Sequence, residues 1–275
     1  MKVFALFICL IMTIMPNKTL SAEMEMCDSS KCNEYFKKYK NYARIGYVDA
    51  MSAVGEFYYH GYGTDKNLDK ALSKLKKAAK YGSYGAPVKV ALIRLTDPRL
   101  KDVDEAMKYL RKAARYNHPD AVFLLGMIYY SDKIGDYDIE SADKFLAKSY
   151  DSNHRLILKF IEHIDGKGDL TIKKFPILKS KIDSKLNSEN MKVASFAKVS
   201  KSNSISHPQS KDIEIITIHA PNLSEIFTRQ FEIFDSTSPE KNSGSSFSIT
   251  RRSCEESVGC TLVDKTNFKR MLNLM

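Results

Sequence analysis

The stretch AMSAVGEFYYHGYGTDKNLDKALSKLKKAAKYGSYGA, residues 50–86, decides the fold, because its spacing returns twice more down the chain. Its anchor is Ala50, and the same place is taken by Ala86, Ala121 and finally Leu156, at intervals of 36, 35 and 35 residues. Five residues past the anchors stand Gly55, Ala91 and Gly126, and eight past them Tyr58, Arg94 and Tyr129. Further on come Ala71, Ala106 and Ala142, then Lys77-Ala78-Ala79 and Lys112-Ala113-Ala114, with Lys148-Ser149-Tyr150 as a weaker match. Each unit closes on a turn residue, Gly82, Asn117 or Asn153. A fixed period of this length is the mark of a helical solenoid, in which each unit stacks on its neighbours.

The chemistry of the repeated positions predicts a helical hairpin per unit. Small residues let facing helix backbones approach, and Tyr58 and Tyr129 fill the space beside them with rigid rings. Glycine, or asparagine in its place, suits the left-handed residue that ends a helix. Pro119 suits a first helical turn. First helices are expected over 50–59, 86–95 and 120–130, and second helices over 69–81, 104–116 and 140–150. Asp69, Asp104 and Asp138 are the expected N-caps of the second helices. Ala71, Leu72, Leu75, Ala78 and Ala79 form an apolar stripe at helical spacing.

This pattern resembles the Sel-one-like repeat family, a relative of the tetratricopeptide repeats. The resemblance is carried by Ala50, Gly55, Tyr58, Ala71, Ala78, Ala79, Gly82 and Ala86 in the first unit, and by Ala121, Gly126, Tyr129 and Ala142 in the third. The second unit departs from it, with Arg94 in place of the tyrosine and no loop glycines. Half units are expected at 33–49 and 156–168 around full units at 50–85, 86–120 and 121–155, so that the solenoid spans 23–168. The resemblance implies an interaction scaffold. Exported members of the family serve in envelope complexes, secretion, motility and host contact, and others as immunity proteins that occlude a secreted toxin.

The first residues read as a targeting segment. Lys2 precedes an apolar run over 3–15, too short to span a bilayer, which needs about 20 residues, and Leu20-Ser21-Ala22 offers a small residue for cleavage. Residues 1–22 are therefore expected to be a signal peptide, and the mature chain periplasmic or secreted. Export to an oxidising compartment makes Cys27, Cys32, Cys254 and Cys260 candidates for disulfides, with the local pairs Cys27–Cys32 and Cys254–Cys260 the simplest of three connectivities. The formal charge of +10 is moderately basic. Residues 171–201 hold eight lysines against Asp183 and Glu189, which suggests a solvated helix face or a surface for an anionic envelope partner, with nucleic acid not expected.

Beyond the repeats, 169–210 is expected to form a basic helical cap and a Ser/Asn/Pro linker. Residues 211–275 read as a small β-rich module. The alternation at 231–234 and 247–251 and the β-branched run at 213–219 suggest strands, and a final amphipathic turn is expected at 267–274. The expected fold class is thus a mainly α, helical-hairpin solenoid followed by a small β-rich module.

No catalytic, metal or cofactor pattern stands out. His60, His118, His154, His163, His207 and His219 are scattered, with none at metal-ligand spacing. The tetrad Ser141-Ala142-Asp143-Lys144 matches the nucleophile signature of serine β-lactamases, but it recurs by composition at 73–76 and 195–198 and lacks the companion elements. A β-lactam-binding or cell-wall-modifying enzyme is therefore the weakest reading. Tyr59, Tyr62, Tyr130 and Arg94 are the expected anchors for a protein partner on the solenoid surface.

Overall fold

A computed structural model describes residues 24, 26–135, 137–199, 223–238 and 265–275. Eleven helices lie among them: α1 (Ser30–Ile45), α2 (Val48–His60), α3 (Leu68–Lys80), α4 (Ala86–Thr96), α5 (Val103–Arg115), α6 (Pro119–Tyr130), α7 (Ile139–Asp151), α8 (Ile157–Gly166), α9 (Pro176–Val199), α10 (Leu223–Ser236) and α11 (Lys265–Leu274). The pairs α2–α3, α4–α5 and α6–α7 form the hairpins, and α3–α4 and α5–α6 pack between units.

The small repeat positions set the hairpin spacing. A Cβ added at Gly55 would lie 2.6 Å from Leu75 of α3, and one at Gly126 would lie 2.8 Å from Leu146 of α7. Leu75 and Leu146 are fully buried, so they press directly on the bare backbone opposite.

The second helices are capped by Asn67, Asp102 and Asp138, whose side chains accept from the N–H groups of Lys70, Glu105 and Ser141 at 2.9, 2.8 and 3.0 Å. Only Asp138 is the expected cap. Asp69 and Asp104 instead sit in the first turn, where a carboxylate faces the positive end of the helix dipole. The turn residues behave as their chemistry demands, with φ of 100° at Gly82, 57° at Asn117 and 51° at Asn153.

Lysines tie neighbouring units together. Lys112 donates to the Ala79 carbonyl at 2.9 Å and Lys148 to Asn117 Oδ1 at 2.6 Å, each reaching back to the end of the preceding second helix.

Residues 176–199 of the expected cap form one helix. Its start is fixed by Asp143 of α7, a buried carboxylate that accepts from the N–H groups of Ile177 at 2.9 Å and Leu178 at 2.8 Å. Phe175 and Leu178 are buried beside it.

The β-rich module is corrected. No strand occurs among the described residues, and the described parts of 211–275 are the helices α10 and α11. The expected strand at 231–234 lies inside α10. The expected final amphipathic turn lies inside α11. The other expected strands, Cys254, Cys260 and the signal segment fall outside the described residues. Cys27 and Cys32 are joined as a disulfide at the start of α1. The loop they close pairs with the α2–α3 turn, where Cys27 bridges Tyr62. Gly63, at φ 62°, lies so close that a Cβ there would stand 2.1 Å from the Cys32 carbonyl oxygen.

Candidate functional site

The first helices of the hairpins ought to expose one face as the solenoid groove. Instead α4 and α6 are buried along nearly their whole length, from Ala86 to Ile93 and from Asp120 to Ile128. The chain covers its own groove. Toward the C-terminal end, α11 lies against α4 and inserts Phe268, Met271 and Met275 into the core that holds α4 to α8. Phe268 meets Phe123 of α6 with ring centroids 6.0 Å apart.

At the N-terminal end, α10 fills a groove walled by α1 and α2. Phe227, Phe231 and Phe234 are buried there among Tyr35, Tyr39, Tyr42, Tyr47, Phe57 and Tyr62. Tyr39 is wholly buried, with its ring centroid 5.4 Å from that of Phe227 and 4.9 Å from that of Phe231. Such tilted and edge-on ring pairs add to the gain from burial.

Three tyrosine hydroxyls complete the seat. Tyr39 donates to Gln230 Oε1 at 2.5 Å within the buried core, and Tyr42 donates to Asp235 at 2.5 Å. The Tyr47 hydroxyl lies against the carbonyls of Phe234, at 2.5 Å, and Thr237, which share its one proton. These carbonyls lie where a helix end lacks backbone partners of its own. Burial pushes the Tyr39 phenol well above its ordinary value. The bond to Asp235 is the main reason the Tyr42 phenol is pushed up to about 12.

Most of the residues expected to face a partner are engaged inside the molecule. Tyr62 is buried, stacked on Phe57 at 5.3 Å and edge-on to Phe227 at 5.6 Å. Tyr130 is buried and donates to Asp169 at 2.7 Å. Burial first, then Asp169, raises its phenol. Arg94 forms an ion pair with Glu105 at 2.5 Å and donates to the Leu100 carbonyl at 2.8 Å, while Lys76 reaches the same Glu105 from the preceding unit.

Tyr59, like Arg94, is only partly buried, with Lys89 Nζ 4.3 Å from its ring centre. That lysine is itself buried and pairs with buried Glu56 at 3.0 Å. Burial acts to raise the Glu56 carboxyl, but Lys89 and His60 outweigh it and hold it below the usual range.

In the third unit Tyr129, expected to fill the space beside the small residues, is not the more buried ring. Tyr130 is buried and Tyr129 half-buried, stacked on Phe145 at 5.8 Å.

The basic stretch is partly neutralised within the fold. Lys174 pairs with Asp169, Lys179 with Asp183 at 2.5 Å and Lys181 with Asp151 at 2.9 Å. In the Ser-x-x-Lys tetrads at 141–144 and 73–76 the lysines pair with acids, Lys144 with Glu140 at 2.7 Å and Lys76 with Glu105.

A buried polar cluster was not singled out from the sequence. His154 pairs with buried Asp120 at 2.9 Å. His118 is wholly buried, stacks on Tyr84 at 4.4 Å, and neither of its ring nitrogens has a hydrogen-bond partner among the described residues. Burial, only partly opposed by Asp120, lowers its pKa. The signal was present in the repeat itself, since Ser83, His118 and His154 each follow the left-handed turn residue.

Fold and groove together define a helical-hairpin solenoid whose interior face is lined by helices from its own C-terminal region. No family model matches the sequence, and no curated protein matches it. Two solved structures to which the chain is similar carry Sel1 repeats. One is the Sel1 repeat protein from Oxalobacter formigenes, at 23% identity and a TM-score of 0.45 over 52% of this chain and 60% of that one. Another is a protective antigen with an SLR fold, present in uropathogenic Escherichia coli strains, at 18% identity and a TM-score of 0.42 over 46% of this chain and 27% of that one. In both, the match spans less than two thirds of the solved chain.

Proposed function

We propose that this protein is an exported, non-enzymatic adaptor that binds another protein through its solenoid. The observation that carries this reading is the groove itself. A solenoid whose inner face holds amphipathic helices through aromatic anchors and tyrosine hydroxyls has the equipment of helix-in-groove recognition. Export to the periplasm or beyond is supported by the apolar N-terminal run over 3–15, by the small residue Ala22 beyond it, and by the Cys27–Cys32 bond. No helix among the described residues is long and apolar enough to cross a membrane.

Half-exposed Tyr59 and the more exposed Tyr116, at the end of α5, offer contact points that need no rearrangement. The test is a photo-crosslinking amino acid placed at Tyr59 or Tyr116 in the chain expressed in its native cells. A discrete adduct with a second protein in the exported fraction is the expected result. Adducts confined to the chain itself at both positions would remove the adaptor reading. Amino-terminal sequencing of the exported chain tests cleavage, with Glu23 expected as the first residue.

A further inference from the structure

The seat of α10 differs from ordinary core packing in three ways. First, α10 is held through long side chains rather than by close backbone packing, because tyrosine and phenylalanine rings fill the space between it and α1 and α2. Second, three tyrosine hydroxyls all donate from the groove. Tyr39, Tyr42 and Tyr47 supply hydroxyls from the groove, and α10 supplies the acceptors, Gln230, Asp235 and two main-chain carbonyls. The groove therefore reads a pattern and not a particular chain: aromatic anchors at i, i+4 and i+7, an acceptor at i+3, and a helix end above Tyr47. Third, α10 is joined to the rest of the molecule through residues 200–222 and 239–264.

We propose that the tyrosine-lined groove of α1 and α2 is a receptor for an amphipathic helix of a partner protein carrying this aromatic pattern. In this proposal α10 is a built-in occupant that the partner helix displaces. It rests on the adaptor reading and names the kind of partner. Belonging to the same chain gives α10 a high effective concentration, so an incoming helix binds weakly until the in-chain contacts are loosened. Charge fits the same occupant. Lys38 lies over the Phe231 ring, 5.1 Å from its centre, beside a helix whose end carries Asp235.

The test uses the full chain and a fluorescent peptide of residues 223–238. The receiver is the native chain or its Phe227→Ala/Phe231→Ala variant, in which only the occupant is weakened. The variant is expected to bind the peptide at least tenfold more tightly than the native chain. A peptide with both phenylalanines changed to alanine is expected not to bind either. Equal or undetectable binding by a folded variant overturns the proposal.

A milder variant, Gln230→Ala, removes the buried bond to Tyr39 and is expected to raise peptide affinity in the same direction by a few-fold. Global unfolding of both variants, seen as loss of helical circular dichroism, would make α10 an integral core helix and would equally overturn the proposal. Concentration-dependent dimers of the native chain that the peptide dissociates would identify a second copy as the occupant and refute the partner assignment. Because the peptide assay needs no partner protein, it can fail or succeed independently of the crosslinking experiment.

Discussion

The residue that follows each left-handed turn shows how one repeat position takes on three different characters. In the first unit Ser83 donates its hydroxyl to Ser52 at 3.3 Å and accepts from the Ala86 N–H. In the third, His154 meets the Asp120 carboxylate. Between them His118 stacks on Tyr84, and its nearest acid, Asp120, is already held by His154. Burial keeps the His118 ring neutral by lowering its pKa in the folded state. The unfolded chain then binds a proton that the folded chain refuses, so stability falls as pH drops through about 6.5 and below. Replacing His118→Phe keeps a flat ring over Tyr84 and removes the titration. The variant should stay within about 1.5 kcal/mol of the parent at pH 7. Its urea midpoint should fall less between pH 7 and pH 5 than that of the parent. An equal fall in both would show that His118 does not drive acid sensitivity.

At the scale of elements, the hairpin was legible because its determinants are local and repeated. Gly55 and Gly126, the turn asparagines and the alanine stripe all sit where helix spacing needs them. The caps Asn67 and Asp102 were misplaced by two residues because an acid inside the first turn and a cap before it leave similar traces in a sequence. The described parts of the last 65 residues, α10 and α11, were misread for a more instructive reason. The four residues Phe231 to Phe234 alternate as a strand would, yet Leu223, Phe227, Gln230, Phe231 and Phe234 follow the helical period. A short window cannot separate the two periods, and the longer one decides.

Two changes test the element contacts. Gly126→Ala places a Cβ 2.8 Å from Leu146 and 3.1 Å from its backbone nitrogen, so α6 and α7 must move apart at a cost of about 1–3 kcal/mol. Adding Leu146→Ala should cost less than the sum of the two single changes, a coupling that a double-mutant cycle on chemical denaturation measures. Asp143→Ala strips the two N–H groups of Ile177 and Leu178 of their acceptor. It should cost about 1–3 kcal/mol and speed amide exchange at those two residues before the rest of the molecule.

For the whole molecule, a simple solenoid would share stability only between neighbours, with each unit fraying from the ends. This chain departs from that rule because α10 and α11, remote in sequence, pin separate parts of it. The aromatic core joins α10 to α1 and α2, while a larger aliphatic core joins α11 to helices α4 through α8. That partition was not legible in the sequence, since periodicity reports which face of a helix is apolar but not which distant segment will cover it.

The partition predicts two distinguishable modes of opening. Met271 of α11 is fully buried in the larger core, so Met271→Ala should remove about 2–5 kcal/mol. The loss should appear as faster hydrogen exchange in α4 and α6, with α1 and α2 little changed. Phe234→Ala, in the aromatic core, should do the reverse, speeding exchange in α1, α2 and α10 while α4 to α7 keep their protection. Hydrogen exchange read by mass spectrometry on the two variants separates these patterns. Equal acceleration along the whole chain in both would mean one cooperative core. An α10 that leaves without disturbing α4 to α7 is what a displaceable occupant requires, because a partner can then be admitted at the N-terminal end while the aliphatic core keeps the remaining units in register.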